Sequence, residues 1–281
     1  MRLLYFDCIS GISGDMALGA LIHAGADVDA LRTHLAALPV DSFGFEVDEV
    51  DTHGIHAVKV NVRVKASAVV RTYANIRTML DAADLPGGAR AIAQRIFRRL
   101  AEAEAVVHHR DVEQVVFHEV GAVDSIVDIT GTALALDQLR VDRVFASAVP
   151  TGMGMIKTEH GSMPIPAPAV VELLRGAPLF SRNTPMELVT PTGAAILAAT
   201  VEGFGAIPPI RVDAVGYGAG TVRPEFPNVL RVLVGESEPA ATDEGDDATD
   251  ELILQTNVDD LNPELHPYVL ERLLASGAQD A

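Results

Sequence analysis

Leu3-Leu4-Tyr5-Phe6-Asp7-Cys8-Ile9-Ser10-Gly11-Ile12-Ser13-Gly14-Asp15-Met16 opens the chain, and an apolar pattern continues through Leu18, Ala20, Leu21 and Ile22. Residues 3–6 form an apolar run short enough for a buried strand, the apolar positions after Asp15 recur at helical spacing, and glycines and serines punctuate the interval. The unit reads as strand, glycine-rich turn, helix. In open α/β sheets such turns lie at the carboxyl ends of strands, where ligands bind, and the backbone N–H groups that start the next helix can hold an anion. The lysine of a Walker loop and the glycine spacing of the dinucleotide fingerprint are both missing. Two readings stand side by side: an anion-binding turn built from Ser10, Gly11, Ser13, Gly14 and Asp15, or a tight turn in which Ser13 or Asp15 caps the helix.

Working outward, residues 28–38 predict a second helix, and 43–50 with 55–64 alternate apolar and polar residues across a His53-Gly54 turn, which predicts a hairpin. Helices are expected over 70–80 and 89–107, separated by Pro86-Gly87-Gly88, and another over 122–139. A strand is expected over 141–148, followed by an extended, proline-rich loop through His160-Gly161 to Pro168, with helices over 169–174 and 191–201. Strands over 210–215 and 229–234 flank Gly216-Tyr217-Gly218-Ala219-Gly220, which reads either as a hairpin loop or as a place of close backbone approach to a ligand. The expected fold class is α/β, with α+β as the alternative: a mixed sheet with packed helices over residues 1–235. An acidic linker at 236–250 follows, then the start of a second α/β unit at 251–281, with a strand at 252–258 and a helix capped by Asn262 or Asp260 and running to about Ser276.

The 281 residues are 48% hydrophobic and 5% aromatic, enough for an aliphatic core. A net charge of −18 argues against nonspecific nucleic-acid binding and against an anionic membrane surface, a local basic patch such as Arg95, Arg98 and Arg99 notwithstanding. A single cysteine, Cys8, makes no intramolecular disulfide, and no leader pattern precedes the first strand; a reducing cytoplasm is the expected setting. No run of about 18 uncharged apolar residues offers a membrane span.

A second stretch carries chemistry: Phe117-His118-Glu119-Val120-Gly121-Ala122-Val123-Asp124-Ser125-Ile126-Val127-Asp128-Ile129. One imidazole and three carboxylates interrupt an apolar run, and such groups are costly to bury without partners. On a helix from residue 122, Asp124 and Asp128 share a face one turn apart, just beyond a His-Glu pair that a glycine turn folds back towards them. That pattern suits a metal site or an acid/base pair. It equally suits a helix capped by Asp124 or Ser125, with Asp128 in its first turns, His118 in the core and Glu119 in solvent. His160, in a glycine and proline loop, suits a metal ligand or an idle surface histidine. Thr190, Thr192 and Gly193, with Glu187, stand at a helix start that suits a phosphate, with Thr190 equally a plain N-cap. Asn257, Asp259, Asp260, Asn262 and Glu264 make an acidic turn fit for Mg²⁺ or Mn²⁺ or for a cap. Cys8 has no histidine near it in sequence, and His108 and His109 read as surface residues at a helix end.

Five motifs recur together: Asp7-Cys8-Ile9-Ser10-Gly11-Ile12-Ser13-Gly14-Asp15-Met16, the 117–128 stretch, His160-Gly161 with Pro164 and Pro166, Val189-Thr190-Pro191-Thr192-Gly193-Ala194-Ala195, and Gly216-Tyr217-Gly218-Ala219-Gly220. In this order, over nearly the whole chain, they closely resemble the LarC nickel-insertion family of nickel-pincer nucleotide biosynthesis. The resemblance implies a chelatase or cyclometallase of the lyase class that inserts nickel into pyridinium-3,5-bisthiocarboxylic acid mononucleotide, depends on CTP with Mn²⁺ or Mg²⁺, and serves lactate racemase-type apoenzymes. It implies roles in nickel delivery or proton removal for His118, Glu119, Asp124 and His160, with Asp128 as a further metal ligand. The turn of Ser10, Gly11, Ser13, Gly14 and Asp15, with Thr190, Thr192 and Gly193, would hold the substrate. It also implies that 251–281 is only the start of a CTP-binding domain, the rest being a separate or frameshift-encoded part, and it is compatible with a homo-oligomer. Two rival classes are a nickel- or nucleotide-binding subunit without activity of its own, and a divalent-metal hydrolase on the same carboxylates.

Overall fold

The computed structural model describes residues 1–64, 71–117, 122–158, 161–237 and 265–278. His118, Glu119 and His160, and the acidic turn at 257–264, lie outside the described residues. The chain divides into two units, residues 1–240 and residues 241–281.

In chain order the first unit contains β1 (Arg2–Asp7), α1 (Gly14–His23), α2 (Val28–Ala36), β2 (Phe43–Thr52), β3 (Ile55–Val64), β4 (Arg71–Thr72), α3 (Tyr73–Ala82), α4 (Gly87–His108), β5 (Val116–Phe117) and α5 (Val123–Gln138). Then come β6 (Arg143–Ala146), β7 (Val149–Thr151), β8 (Met155–Thr158), β9 (Gly161–Pro164), α6 (Pro168–Leu173), β10 (Leu179–Ser181), α7 (Pro191–Thr200), β11 (Gly203–Phe204), β12 (Ile210–Ala219) and β13 (Val229–Ser237). In the second unit α8 (His266–Ala275) is described and its side chains are exposed; the Asn262 and Asp260 expected as its cap lie outside the described residues.

A seven-stranded sheet in the order β11-β6-β1-β13-β12-β3-β2 organises the unit. β1 runs parallel to β6 and antiparallel to β13, and β12 is antiparallel to β13 yet parallel to β3, so the sheet is mixed. The first strand in sequence is thus central, as its four consecutive buried residues Leu3, Leu4, Tyr5 and Phe6 require. The β2–β3 hairpin forms as expected: Thr52 pairs with Ile55, and His53 and Gly54 both take positive φ, the two-residue turn that matches strand twist.

α1 packs on β12 and β3 and against α5, while α4 packs against α5, α6 and α7. The predicted helix at 70–80 starts only at Tyr73, because Arg71 and Thr72 pair as a strand with β5 and Thr72 caps the helix through Asn75. The expected loop before Pro168 contains a hairpin, β8 with β9.

The glycine run at 216–220 lies in strand rather than loop as far as Ala219. It continues β12, and the close approach it permits is to α1: a Cβ at Gly216 would stand 1.9 Å from the Ala20 carbonyl oxygen, and one at Gly218 1.8 Å from that of Met16. Helix backbone lies directly on strand backbone here. Gly218→Ala is expected to cost about 3 kcal/mol, since the obstacle is backbone and cannot turn aside; urea unfolding measures it, and a loss below about 1 kcal/mol would show that α1 can lift off the sheet.

Among the described residues, no helix is long and apolar enough to cross a membrane.

Candidate functional site

After β1 the chain makes a knot. Gly11 N–H donates to the Cys8 carbonyl, Ile12 N–H to that of Leu188 and Thr190 N–H to that of Ile12, so the turn is bridged to residues 188–190. Gly11 has φ +91°, and a Cβ on it would lie 1.9 Å from the Leu188 oxygen, so no other residue fits. The Ser10 hydroxyl is fully buried, donates to the Pro227 carbonyl at 2.6 Å and accepts from Arg182 at 2.9 Å; Arg182 also donates to the Ile9 carbonyl and lies over the Phe226 ring. Ser10 and Gly11 therefore hold the turn in shape.

The second half of the turn opens on a cavity of about 660 Å³. Three helix starts line it: Gly14 and Asp15 of α1, Asp124 and Ser125 of α5, Pro191 and Thr192 of α7. Lys59, Asn61 and Arg63 of β3 form another wall, and Thr221 and Glu187 complete the part that matters here. Ser13 occupies the N-cap position of α1, but its hydroxyl donates to Asp15 Oδ1 and not to the helix backbone. Thr190 caps α7 as expected, accepting from Gly193 N–H, and shares a 2.8 Å hydrogen bond with Thr192. Thr192 Oγ1 in turn accepts from Gly14 N–H at 3.3 Å. Gly193 lets α7 come against the turn: a Cβ there would stand 2.3 Å from the Ile12 oxygen.

Asp15 is held at both of its carboxylate oxygens. Its Oδ1 accepts from Ser13 and from Met16 N–H, and its Oδ2 accepts from Lys59 Nζ and from Thr221. Lys59, a lysine only 9% exposed in the middle of a strand, also donates to Thr221 at 2.8 Å. A buried cation with a carboxylate and a hydroxyl is the satisfied arrangement that low dielectric demands.

Asp128 is the opposite case. Its Oδ1 is shut off from solvent and has no hydrogen-bond partner among the described residues. The side chain lies against the start of α1: a Cβ on Gly14 would stand 2.7 Å from Asp128 Cβ. Burial pushes its carboxyl well above the usual carboxylate range, the negative charges of Asp15 and Asp124 push the same way, and Lys59 opposes them. It is thus an unusually basic carboxylate facing a cavity, a combination typical of sites that move protons.

α5 spans the predicted range, and Asp124 and Asp128 share its cavity-lining face. The capping alternative fails: Ala122 holds the N-cap position, and Asp124 sits in the first turn with Oδ1 accepting from Ser125 N–H at 2.8 Å. Among the described residues no group of three or more His, Cys, Asp or Glu stands close enough to hold a metal ion. Cys8 is buried and its thiol is pushed up to about 12, chiefly by burial, which makes it inert as a nucleophile.

Lys59, Asn61, Arg63 and Thr221 were not singled out in the sequence. Their signal was the alternation of Val58, Val60, Val62 and Val64 with Lys59, Asn61 and Arg63, which puts three polar side chains on one face of an interior strand.

No solved structure matches the chain. A relative from Citrifermentans bemidjiense, provisionally named for nickel insertion, is 48% identical over 282 residues, covering all of this chain and 72% of the relative. A relative from Desulfitobacterium hafniense, named pyridinium-3,5-bisthiocarboxylic acid mononucleotide nickel insertion protein, is 44% identical over 283 residues, covering all of this chain and 70% of the relative. One from Dictyoglomus thermophilum is 41% identical over 280 residues. The family model described as nickel insertion protein matches residues 4–281, taking in every element that walls the cavity. The chain belongs to the nickel insertion protein family.

Proposed function

We propose that the cavity at the starts of α1, α5 and α7 is where nickel is inserted into pyridinium-3,5-bisthiocarboxylic acid mononucleotide. The observation that carries this reading is Asp128, a buried, unpartnered and unusually basic carboxylate oxygen beside the α1 terminus. Forming a carbon–nickel bond on an aromatic ring breaks a ring C–H bond: the electron pair stays with the carbon that binds the metal, and the proton needs an acceptor. The Asp128 carboxylate is that acceptor. A cationic ring and a divalent ion entering beside Asp15, Asp124 and Asp128 favour the ionised carboxylate, and the buried site then holds the proton it receives. Asp15 is kept in place by Ser13, Lys59 and Thr221, while Thr190 and Thr192 offer hydroxyls to the nucleotide.

In this reading Ser10, Gly11 and Gly193 shape the site, and Ser13, Gly14, Asp15, Thr190 and Thr192 line it. His118, Glu119 and His160, outside the described residues, remain the proposed nickel carriers, with Asp124 on the adjoining face. The reaction is that of a cyclometallase in the lyase class, working in a reducing cytoplasm, dependent on CTP with Mn²⁺ or Mg²⁺ through the region from residue 251, and its product serves lactate racemase-type apoenzymes.

The test is to incubate the purified chain with the mononucleotide, Ni²⁺, CTP and Mn²⁺ or Mg²⁺ and to follow product mass and activation of a racemase apoenzyme. Nickel-bearing nucleotide is the expected product. Binding of nickel or nucleotide with no product would instead mark the chain as a carrier or binding subunit.

A further inference from the structure

We infer that Arg63 anchors the phosphate of the mononucleotide at the mouth of the cavity, and so sets which end of the substrate faces Asp128. The inference rests on the functional reading above and deepens it. Among the described residues that line the cavity, the cationic side chains are Lys59 and Arg63. Lys59 is buried and committed to Asp15 and Thr221, whereas the Arg63 side chain is 75% exposed. Its Nε donates to Glu46 Oε2 at 2.7 Å, a diagonal cross-strand contact on β2. Its two terminal nitrogens have no partner among the described residues. A guanidinium tethered through Nε, with the terminal edge free, presents the fork that takes two phosphate oxygens at once.

Lys59, Asn61 and Arg63 occupy one face of the strand, and at about 3.3 Å per residue Arg63 lies about 13 Å from Lys59. The inner end of the cavity holds Asp15, Asp128 and the buried Lys59; a phosphate there would meet two carboxylates, while a cationic ring would be attracted to them. At the mouth Arg63 meets one carboxylate, Glu46, on its Nε side, and its terminal edge is open to an anion. A one-ring nucleotide has a similar length from its far ring edge to its phosphorus, so with the phosphate on Arg63 the ring edge opposite the ribose reaches the acids. That edge carries the carbon between the two thiocarboxylates.

The test compares binding of the mononucleotide and of its dephosphorylated nucleoside to the parental chain, Arg63→Ala and Arg63→Lys by calorimetry, together with KM and kcat for nickel insertion. Expected is a parental preference for the mononucleotide of about 10- to 100-fold, which Arg63→Ala abolishes while its nucleoside affinity stays at the parental value. Arg63→Lys should restore part of it, and the loss should appear in KM more than in kcat. An unchanged phosphate preference in Arg63→Ala, or an equal loss for nucleoside and nucleotide, would overturn the inference and leave the functional reading standing. If the parental chain bound neither compound, the functional reading itself would fall, and the inference with it.

Discussion

Asp128→Asn is expected to lower nickel insertion by about 10²- to 10⁴-fold, the range for loss of a positioned acid or base, and at the same time to make the chain more stable. The folded chain holds the Asp128 proton more tightly than the unfolded chain does, because the carboxyl is pushed up by burial and by Asp15 and Asp124. Stability from this group is therefore fully present below about pH 4, the unfolded value, and is lost as pH rises from there through the raised folded pKa. Asparagine has no proton to lose, so the variant's advantage should be small near pH 4 and grow to about 1 to 3 kcal/mol by pH 8. Melting of both proteins across that range measures it. A pH-independent difference, or a variant that keeps the parental rate, would remove Asp128 from the proton-transfer role.

The second large effect lies one residue contact away. Lys59→Met should destabilise the unit by about 3 to 5 kcal/mol, because it strips a largely buried carboxylate of its cation. Asp15→Asn should also destabilise, but the double variant should lose clearly less than the sum, with a coupling of about 1 to 3 kcal/mol in a double-mutant cycle. The Lys59 and Asp15 side chains are 11% and 21% exposed, so solvent screening does little to soften the pair. Strictly additive losses would show that each acts alone. Asp15→Asn should also weaken nickel insertion, since Asp15 is one of the charges that raise the Asp128 carboxyl, whereas Lys59 lowers it.

Much of the fold was legible because local patterns were strong. The apolar run at 3–6, the alternation across His53-Gly54 and the 3.6-residue period from Val123 each match their elements closely. Two misreadings share one cause. Gly216 to Gly220 has loop composition, and only the helix lying on it explains why a strand would be paved with glycine; Arg71 and Thr72 look helical until β5 pairs with them. In the site, Asp124 and Asp128 were visible as an i, i+4 pair. That Asp128 would be the orphan and Asp124 the exposed partner was not, because the difference is made by α1 pressing on one and not on the other. Ser10 shows the same limit: its neighbours Pro227 and Arg182 are remote in sequence, and nothing local distinguishes a hydroxyl that binds phosphate from one that ties a knot.

That knot has a consequence for how the chain is made. Ser10 bonds to Pro227, 217 residues away, and Gly14 to Thr192, 178 residues away, while β1 pairs along one edge with β13 near the end of the unit. During synthesis the first strand and turn leave the ribosome early and wait, with one strand edge unpaired, until residues 182–237 have emerged. The reactive pocket is closed by the last part of the unit to be translated, so a nascent chain released before that point would carry Asp15, Asp124 and Asp128 and no cavity to hold them in.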